Sequence, residues 1–415
     1  MTGKLILFLV LFFTISFGKS KEEIQSEIVN ILSKLSPSTK IGMMIYNPLT
    51  QDTIFSLNHT AVMIPASNNK LFTTATALSL MGGNYPLSTK ILADNKNAED
   101  GVLQGNIYIK GYGNSTFTEG DLDSIVLELK HRGIKKITGN IIGDDTYFDN
   151  IYSRDDWIGD EISSVKLPPV SAIVVDRNVH AVYKKRGRRM RRYISYIQDP
   201  PLYAAELLKE KLQNSGIEVN LNAIKGTAPL NAYTLTESAI TLKELIKLIN
   251  KSSDNFLAEC LFKTLGAISS GLQGNSFYST QAVLNFIEEN GIYADNSSVV
   301  DGSGISRFNQ ITVGAVTGLL EKMYFDLVNY EDFYDSFSIA GVDGTLAHRM
   351  IGTTAENNFH GKTGTLEGII SLAGYLTTKK GDDLIISIFF EFSKKGRNYY
   401  RDIQDEIVQL LAEWE

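Results

Sequence analysis

The chain has 415 residues, a formal net charge of −7 and a single cysteine, Cys260. That length exceeds one ordinary domain, so two are expected. The acidic balance argues against nucleic acid as the main partner, and a lone cysteine excludes an internal disulfide, leaving the fold to rest on its core.

Residues 1–18 contain Lys4, an apolar run over 5–13, and the small residues Ser16 and Gly18. This order reads as a secretory signal peptide and implies a periplasmic or cell-envelope location, with an uncleaved anchor as the alternative. No cysteine near the cleavage point offers a site for a lipid. Ile24, Ile28, Ile31, Leu32 and Leu35 then mark an amphipathic helix, with Pro37 beyond its end. Residues 41–46 and 53–57 read as two strands of a hairpin that leads directly to Pro65-Ala-Ser-Asn-Asn-Lys70. After Lys70, apolar residues recur at helical spacing (Leu71, Ala75, Leu78) until Gly82-Gly83 stops the helix.

From about residue 87 to 198 the character changes to short β-branched runs rich in Gly, Asn and Asp, with one helix at 122–131. This section is expected to be a separate, strand-rich insertion. It contains residues 184–192, where seven of nine positions are Lys or Arg. The run reads as a solvated hairpin tip, and contact with an acidic polymer or a membrane surface is the alternative. Helices are predicted at 202–212, 242–249, 256–265 and 313–323, with a Gly-rich turn at 301–307. Residues 368–376 and 384–390 are apolar strands joined by a tight turn, and Ile403, Ile407, Leu410, Leu411 and Trp414 form the buried stripe of a closing helix.

Three short patterns carry chemistry: Ser67-x-x-Lys70, Ser253-Asp-Asn255 and Lys362-Thr-Gly364. Ser163 and Lys166 repeat the first spacing, but in a loop. Ser67 at a helix N-terminus gains the positive end of the dipole and a lysine one turn away. Lys70 can serve as base only if its pKa falls from about 10.4 toward about 7–8, a differential of roughly 3–5 kcal/mol. Burial and a nearby cation, with Lys362 the candidate, push in that direction. Ser253 suits proton relay to a leaving amine, and Asn255 suits orienting Lys70 and holding a substrate amide. Lys362 and Thr363 suit a substrate carboxylate. Gly364 and Thr365 continue the strand lining the cleft, and the backbone N–H groups of Ser67 and Thr365 are the candidate oxyanion hole.

In this order, the patterns resemble those of the class C low-molecular-mass penicillin-binding proteins. These are D-alanyl-D-alanine carboxypeptidases/endopeptidases and include penicillin-binding protein 4. The likeness extends to Gly139-Asn-Ile-Ile-Gly-Asp-Asp-Thr-Tyr-Phe148, Pro168-Pro-Val-Ser-Ala172, Leu202-Tyr-Ala-Ala205, Asp301-Gly-Ser-Gly-Ile-Ser-Arg307 and Ala340-Gly-Val-Asp-Gly-Thr-Leu346. It implies an α+β fold: a β-lactamase/DD-peptidase-like domain, with an antiparallel sheet flanked by helices, over 19–88 and 199–415, and an inserted β-rich domain over 89–198. It further implies acyl transfer through Ser67 on peptidoglycan stem peptides, β-lactams as covalent inhibitors, and neither metal nor cofactor. Asp144, or its neighbour Asp145, matches a family position that recognises a stem-peptide amine. The family usually carries a further small domain after a segment resembling 170–182, where this chain has only the basic run. Residues 301–307 and 340–346 read as structural loops, and Cys260 as a small core residue. A β-lactamase and a non-catalytic wall-binding module of the same fold are the competing readings.

Overall fold

Strands from the two ends of the chain meet in one antiparallel sheet. In the computed structural model, which describes residues 19–157, 167–186 and 189–415, its six strands run in the order Ser338–Ile339, His360–Leu366, Ile369–Thr377, Asp383–Glu391, Lys40–Asn47, Asp52–Leu57. The signal-like segment 1–18 and the second Ser-x-x-Lys match, Ser163 and Lys166, lie outside the described residues.

The two central strands are apolar at nearly every position because both faces are covered, and successive side chains alternate between them. Ile370, Leu372, Ile386 and Ile388 pack with the helices Lys21–Leu32 and Arg397–Ala412. Ala373, Tyr375, Ile385 and Phe389 point the other way, into a cluster with Leu71, Leu78, Leu261 and Leu319. That second layer consists of the helices Asn69–Met81, Leu242–Ser252, Asn255–Ser270, Ser276–Glu289 and Val313–Tyr324. Ser276–Glu289 is the one long helix of the layer that the sequence reading did not anticipate.

A second sheet has five strands, in the order Ala223–Lys225, Ile141–Asp144, Ile107–Tyr112, Pro86–Ala93, Tyr233–Thr241. It therefore spans residues 86–241 and extends past the expected limit at 198. Helix Pro200–Asn214 belongs to it rather than to the first sheet, burying Ala204, Ala205, Leu208 and Leu212 against Ile107, Ile109 and Ile141. Nor is it purely β. Ile107–Tyr112 runs parallel to Ile141–Asp144, which runs parallel to Ala223–Lys225. Parallel neighbours need crossovers, and Glu119–His131 and Pro200–Asn214 provide them. Gly143 makes the second crossover fit, since a Cβ there would lie 1.9 Å from the Pro201 carbonyl oxygen. The basic run forms an antiparallel hairpin, Val179–Arg186 with Arg189–Tyr196.

Candidate active site

Ser67 sits in a single 3-10 turn, Ala66–Asn68, that continues directly into helix Asn69–Met81. Ala66 holds φ at 47°, a left-handed conformation costing a side-chain-bearing residue on the order of 1 kcal/mol. Its neighbours fasten the turn. Asn68 Nδ2 donates to Ser371 Oγ at 2.7 Å, and Ser371 Oγ donates to the Pro65 carbonyl at 2.7 Å. On the other side, Asn69 Nδ2 and Thr73 Oγ1 donate to the carbonyls of Asp301 and Gly302 at 2.6 and 2.9 Å. Strand His360–Leu366 passes so close that a Cβ on Gly364 would lie 2.1 Å from Ser371 Oγ and 3.0 Å from Ser67 N.

Lys70 is fully buried one turn further on, with Nζ 3.0 Å from Ser67 Oγ, 2.7 Å from Asn255 Oδ1 and 2.6 Å from the Ser303 carbonyl oxygen. Two of these partners, an amide oxygen and a backbone carbonyl, only accept. A neutral amine donating its two protons to them leaves its lone pair for the Ser67 hydroxyl. Burial lowers the Lys70 pKa from 10.5 to about 8, while Asp301, Glu259 and Asp254 hold it up. Lys362 does interact electrostatically with Lys70, but the repulsion is expressed in the pKa of Lys362. Burial and then Lys70 itself push the Lys362 pKa well below the usual lysine value. Desolvation is the largest cause of the depressed Lys70 pKa.

Lys362 is also misplaced for a carboxylate anchor. It is fully buried, and Nζ donates to Ser253 Oγ and the Thr363 carbonyl, both at 2.9 Å. Ser253 ends helix Leu242–Ser252 in a left-handed conformation, φ 58° and ψ 42°, which turns its hydroxyl toward Lys362. Asp254 then caps helix Asn255–Ser270 by accepting from Leu257 N at 3.0 Å, and pairs with Arg177 at 2.8 Å. Asn255 opens that helix, facing Lys70.

A cleft of about 650 Å³ opens in front of these groups, lined by Ser67, Ser253, Asn255, Thr363, Gly364 and Thr365. All but the two buried lysines and Asp144 of the predicted site residues therefore share one cavity. Thr363 Oγ1 donates to Thr345 Oγ1 at 2.8 Å, so the segment read as a structural loop contributes to the wall. Arg401, on the closing helix, lines the cleft too, with Nη2 at 3.3 Å from Thr365 Oγ1 and Nη1 at 3.5 Å from Asn398 Oδ1. Among the described residues it has no carboxylate partner, whereas Arg349 beside it is paired with Asp405 at 2.6 Å. Behind the site, buried Glu259 accepts from Ser303 N at 2.7 Å and so fixes the carbonyl that Lys70 uses.

The family model of the D-Ala-D-Ala carboxypeptidase 3 (S13) family matches residues 24–189 and 185–414. The chain belongs to this family. Within the class C penicillin-binding proteins, it is 26% identical over 430 residues to D-alanyl-D-alanine carboxypeptidase DacB of Haemophilus influenzae, covering 89% of each chain. It is likewise 26% identical over 448 residues to a D-alanyl-D-alanine carboxypeptidase of Actinomadura sp., covering 90% of this chain and 81% of that one. The crystal structure of penicillin-binding protein 4 from Haemophilus influenzae superposes with a TM-score of 0.80 at 23% identity, covering 93% of this chain and 99% of that one. The class C penicillin-binding protein family and the β-lactamase/DD-peptidase-like fold implied by the resemblance are therefore both found.

Asp144 requires a correction to the expectation drawn from the resemblance. It is fully buried and does not line the cleft. Its carboxylate is fully engaged: Lys110 at 2.9 Å, Thr146 N and Oγ1 at 2.9 and 2.6 Å, and Ala228 N at 2.7 Å. Burial alone would raise its pKa, but these donors overcome that and hold it below the usual carboxylate value. Asp145 is engaged as well, accepting from Tyr152 Oη at 2.6 Å and Ser171 Oγ at 3.0 Å. Both bonds to Asp145 fall on Oδ2, and neither carboxylate lines the cleft.

Proposed function

We propose that this chain is a serine D-alanyl-D-alanine carboxypeptidase/endopeptidase that cleaves peptidoglycan stem peptides through an acyl-enzyme on Ser67. The observation carrying this reading is the Lys70 amine, 3.0 Å from Ser67 Oγ with its other two partners pure acceptors. Ser67 Oγ attacks the penultimate D-alanine carbonyl carbon as its proton passes to Lys70 Nζ. Backbone N–H groups of Ser67 and Thr365 stabilise the resulting oxyanion. Collapse breaks the peptide C–N bond, and the proton taken up by Lys70 is relayed through Ser253, held by Lys362, to the departing amine, leaving Lys70 neutral and Ser253 protonated. Water then hydrolyses the ester, returning Ser67. A β-lactam follows the first half of this path, which supports covalent inhibition.

In this mechanism Lys362 positions Ser253, and the terminal carboxylate is held by Thr363, Thr365 and Arg401. Arg401 fits because it is a cleft-lining cation whose hydrogen-bond partners are neutral and spaced at the outer limit of hydrogen bonding, although Asp405 acts on it electrostatically. The apolar run at 5–13 supports export to the cell envelope, and the basic hairpin supports peripheral contact with a membrane. Digestion of purified peptidoglycan followed by mass spectrometry tests the activity. Release of one alanine per stem, or breakage of cross-links, is the expected result. Intact fragments after prolonged digestion by a chain that penicillin acylates would favour the non-catalytic module instead.

A further inference from the structure

The hairpin Val179–Arg186/Arg189–Tyr196 has no role in the cleft, and it is built unlike the rest of the molecule. Its tip half packs on nothing: residues 183–186 and 190–194 are all exposed. Isolated two-stranded ribbons are marginal in water unless a face is covered. Here, residues opposite each other across the strands share a face. One face carries Met190 beside Lys185, Arg192 beside Tyr183, and Ile194 beside Ala181. Tyr183, Met190 and Ile194 are 62%, 62% and 67% exposed, large apolar side chains interleaved with cations. The opposite face carries Arg191 beside Lys184 and Tyr193 beside Val182. Among the described residues, Lys184, Lys185, Arg186, Arg191 and Arg192 form no ion pair, although the chain as a whole is acidic.

We propose that this hairpin is a membrane-docking element, laying its Tyr183, Met190 and Ile194 face into the interface of an anionic lipid bilayer while the surrounding cations contact lipid phosphates. Cations alone would suit any hydrated polyanion. The interleaved apolar side chains favour a bilayer, whose headgroup region accepts tyrosine, methionine and isoleucine and the stems of lysine and arginine together. The acidic remainder of the chain is repelled by the same surface, so the element also sets orientation.

The test is partition of the full chain onto vesicles of phosphatidylcholine containing phosphatidylglycerol, against phosphatidylcholine alone, at low and high salt. The wild-type chain favours the anionic vesicles, and salt removes the preference. Replacing Lys184, Lys185, Arg191 and Arg192 by Gln lowers the anionic-over-neutral ratio on the order of 10²–10³-fold, about fivefold per charge. Taking this ratio cancels any insertion of residues 5–13, which does not depend on headgroup charge. Met190→Ser with Ile194→Ser weakens binding to anionic vesicles at least about tenfold and leaves the salt dependence unchanged. Both variants cleave a short soluble D-Ala-D-Ala peptide at the wild-type rate, which checks folding. Equal partition onto the two vesicles, or a ratio indifferent to the four Gln substitutions, would overturn the proposal. So would an apolar double variant that binds vesicles like the wild type, the result expected if the element served a hydrated polymer such as polyglycerol phosphate.

Discussion

Lys70 should impose its own titration on acylation, and Asp254 offers a way to move that titration without touching the reacting groups. With a pKa of 10.5, a lysine at neutral pH is unprotonated in roughly three molecules in ten thousand; at the value of about 8 that burial produces, in roughly one in ten. The fold thus supplies about 300-fold more of the reactive amine. The rate of acylation by a chromogenic β-lactam, followed by stopped flow from about pH 6 to about pH 10, should rise tenfold per pH unit and level off near pH 8. Asp254 is one of the carboxylates holding Lys70 up, so Asp254→Asn, which keeps the helix cap, should shift the midpoint to lower pH by a fraction of a unit. Stability follows with a definite sign. The folded pKa lies below the unfolded one, so burial of the charge costs about 3 kcal/mol at neutral pH, and stability should recover as pH rises from about 8 to about 10.5. A pH-independent acylation rate, or a midpoint that moves upward in Asp254→Asn, would refute Lys70 as the base.

Three further outcomes follow from the packing. Gly364→Ala drives a methyl group against Ser371 Oγ and the Ser67 turn, so acylation should fall about 100-fold or more, and the overpacking should cost about 1–3 kcal/mol of stability in denaturant melts. Arg401→Ala should lower kcat/KM for a peptide ending in a free carboxylate by about 10–100-fold relative to the same peptide amidated at its C-terminus; an unchanged ratio would remove Arg401 from substrate binding. Asp144→Asn should leave Lys110 without its counter-ion and destabilise the fold by on the order of 2 kcal/mol in denaturant melts. The same variant should discriminate between stem peptides with and without a side-chain amine as the wild type does.

The sequence was most informative where chemistry and periodicity fall within one element. Ser67 and Lys70 are one helical turn apart, so their contact is local. Strands Ile369–Thr377 and Asp383–Glu391 are apolar on both faces, and no other assignment accommodates them. Three further features depend on tertiary contacts that leave no such mark. The third partner of Lys70 is a backbone carbonyl, that of Ser303, and no side-chain motif reports a carbonyl. Strand Tyr233–Thr241 is half exposed along its length and joins the second sheet by pairing with Pro86–Ala93, so its apolar content is low. Asp144 meets Lys110 only because parallel strands bring the two into register, and from sequence its carboxylate is as available as any other. Arg401 presents the reverse case: on the closing helix it reads as one more solvated cation, and only the position of strand His360–Leu366 makes it part of the cleft.

The central claim is that Ser67 becomes acylated. Intact-protein mass spectrometry of the wild type and Ser67→Ala after exposure to benzylpenicillin tests it most directly, with the adduct mapped by proteolysis. The wild type should gain the mass of one whole penicillin, retained on the peptide containing Ser67, and Ser67→Ala should gain none. An adduct on Ser67→Ala, or a wild-type adduct on any other residue, would contradict the account.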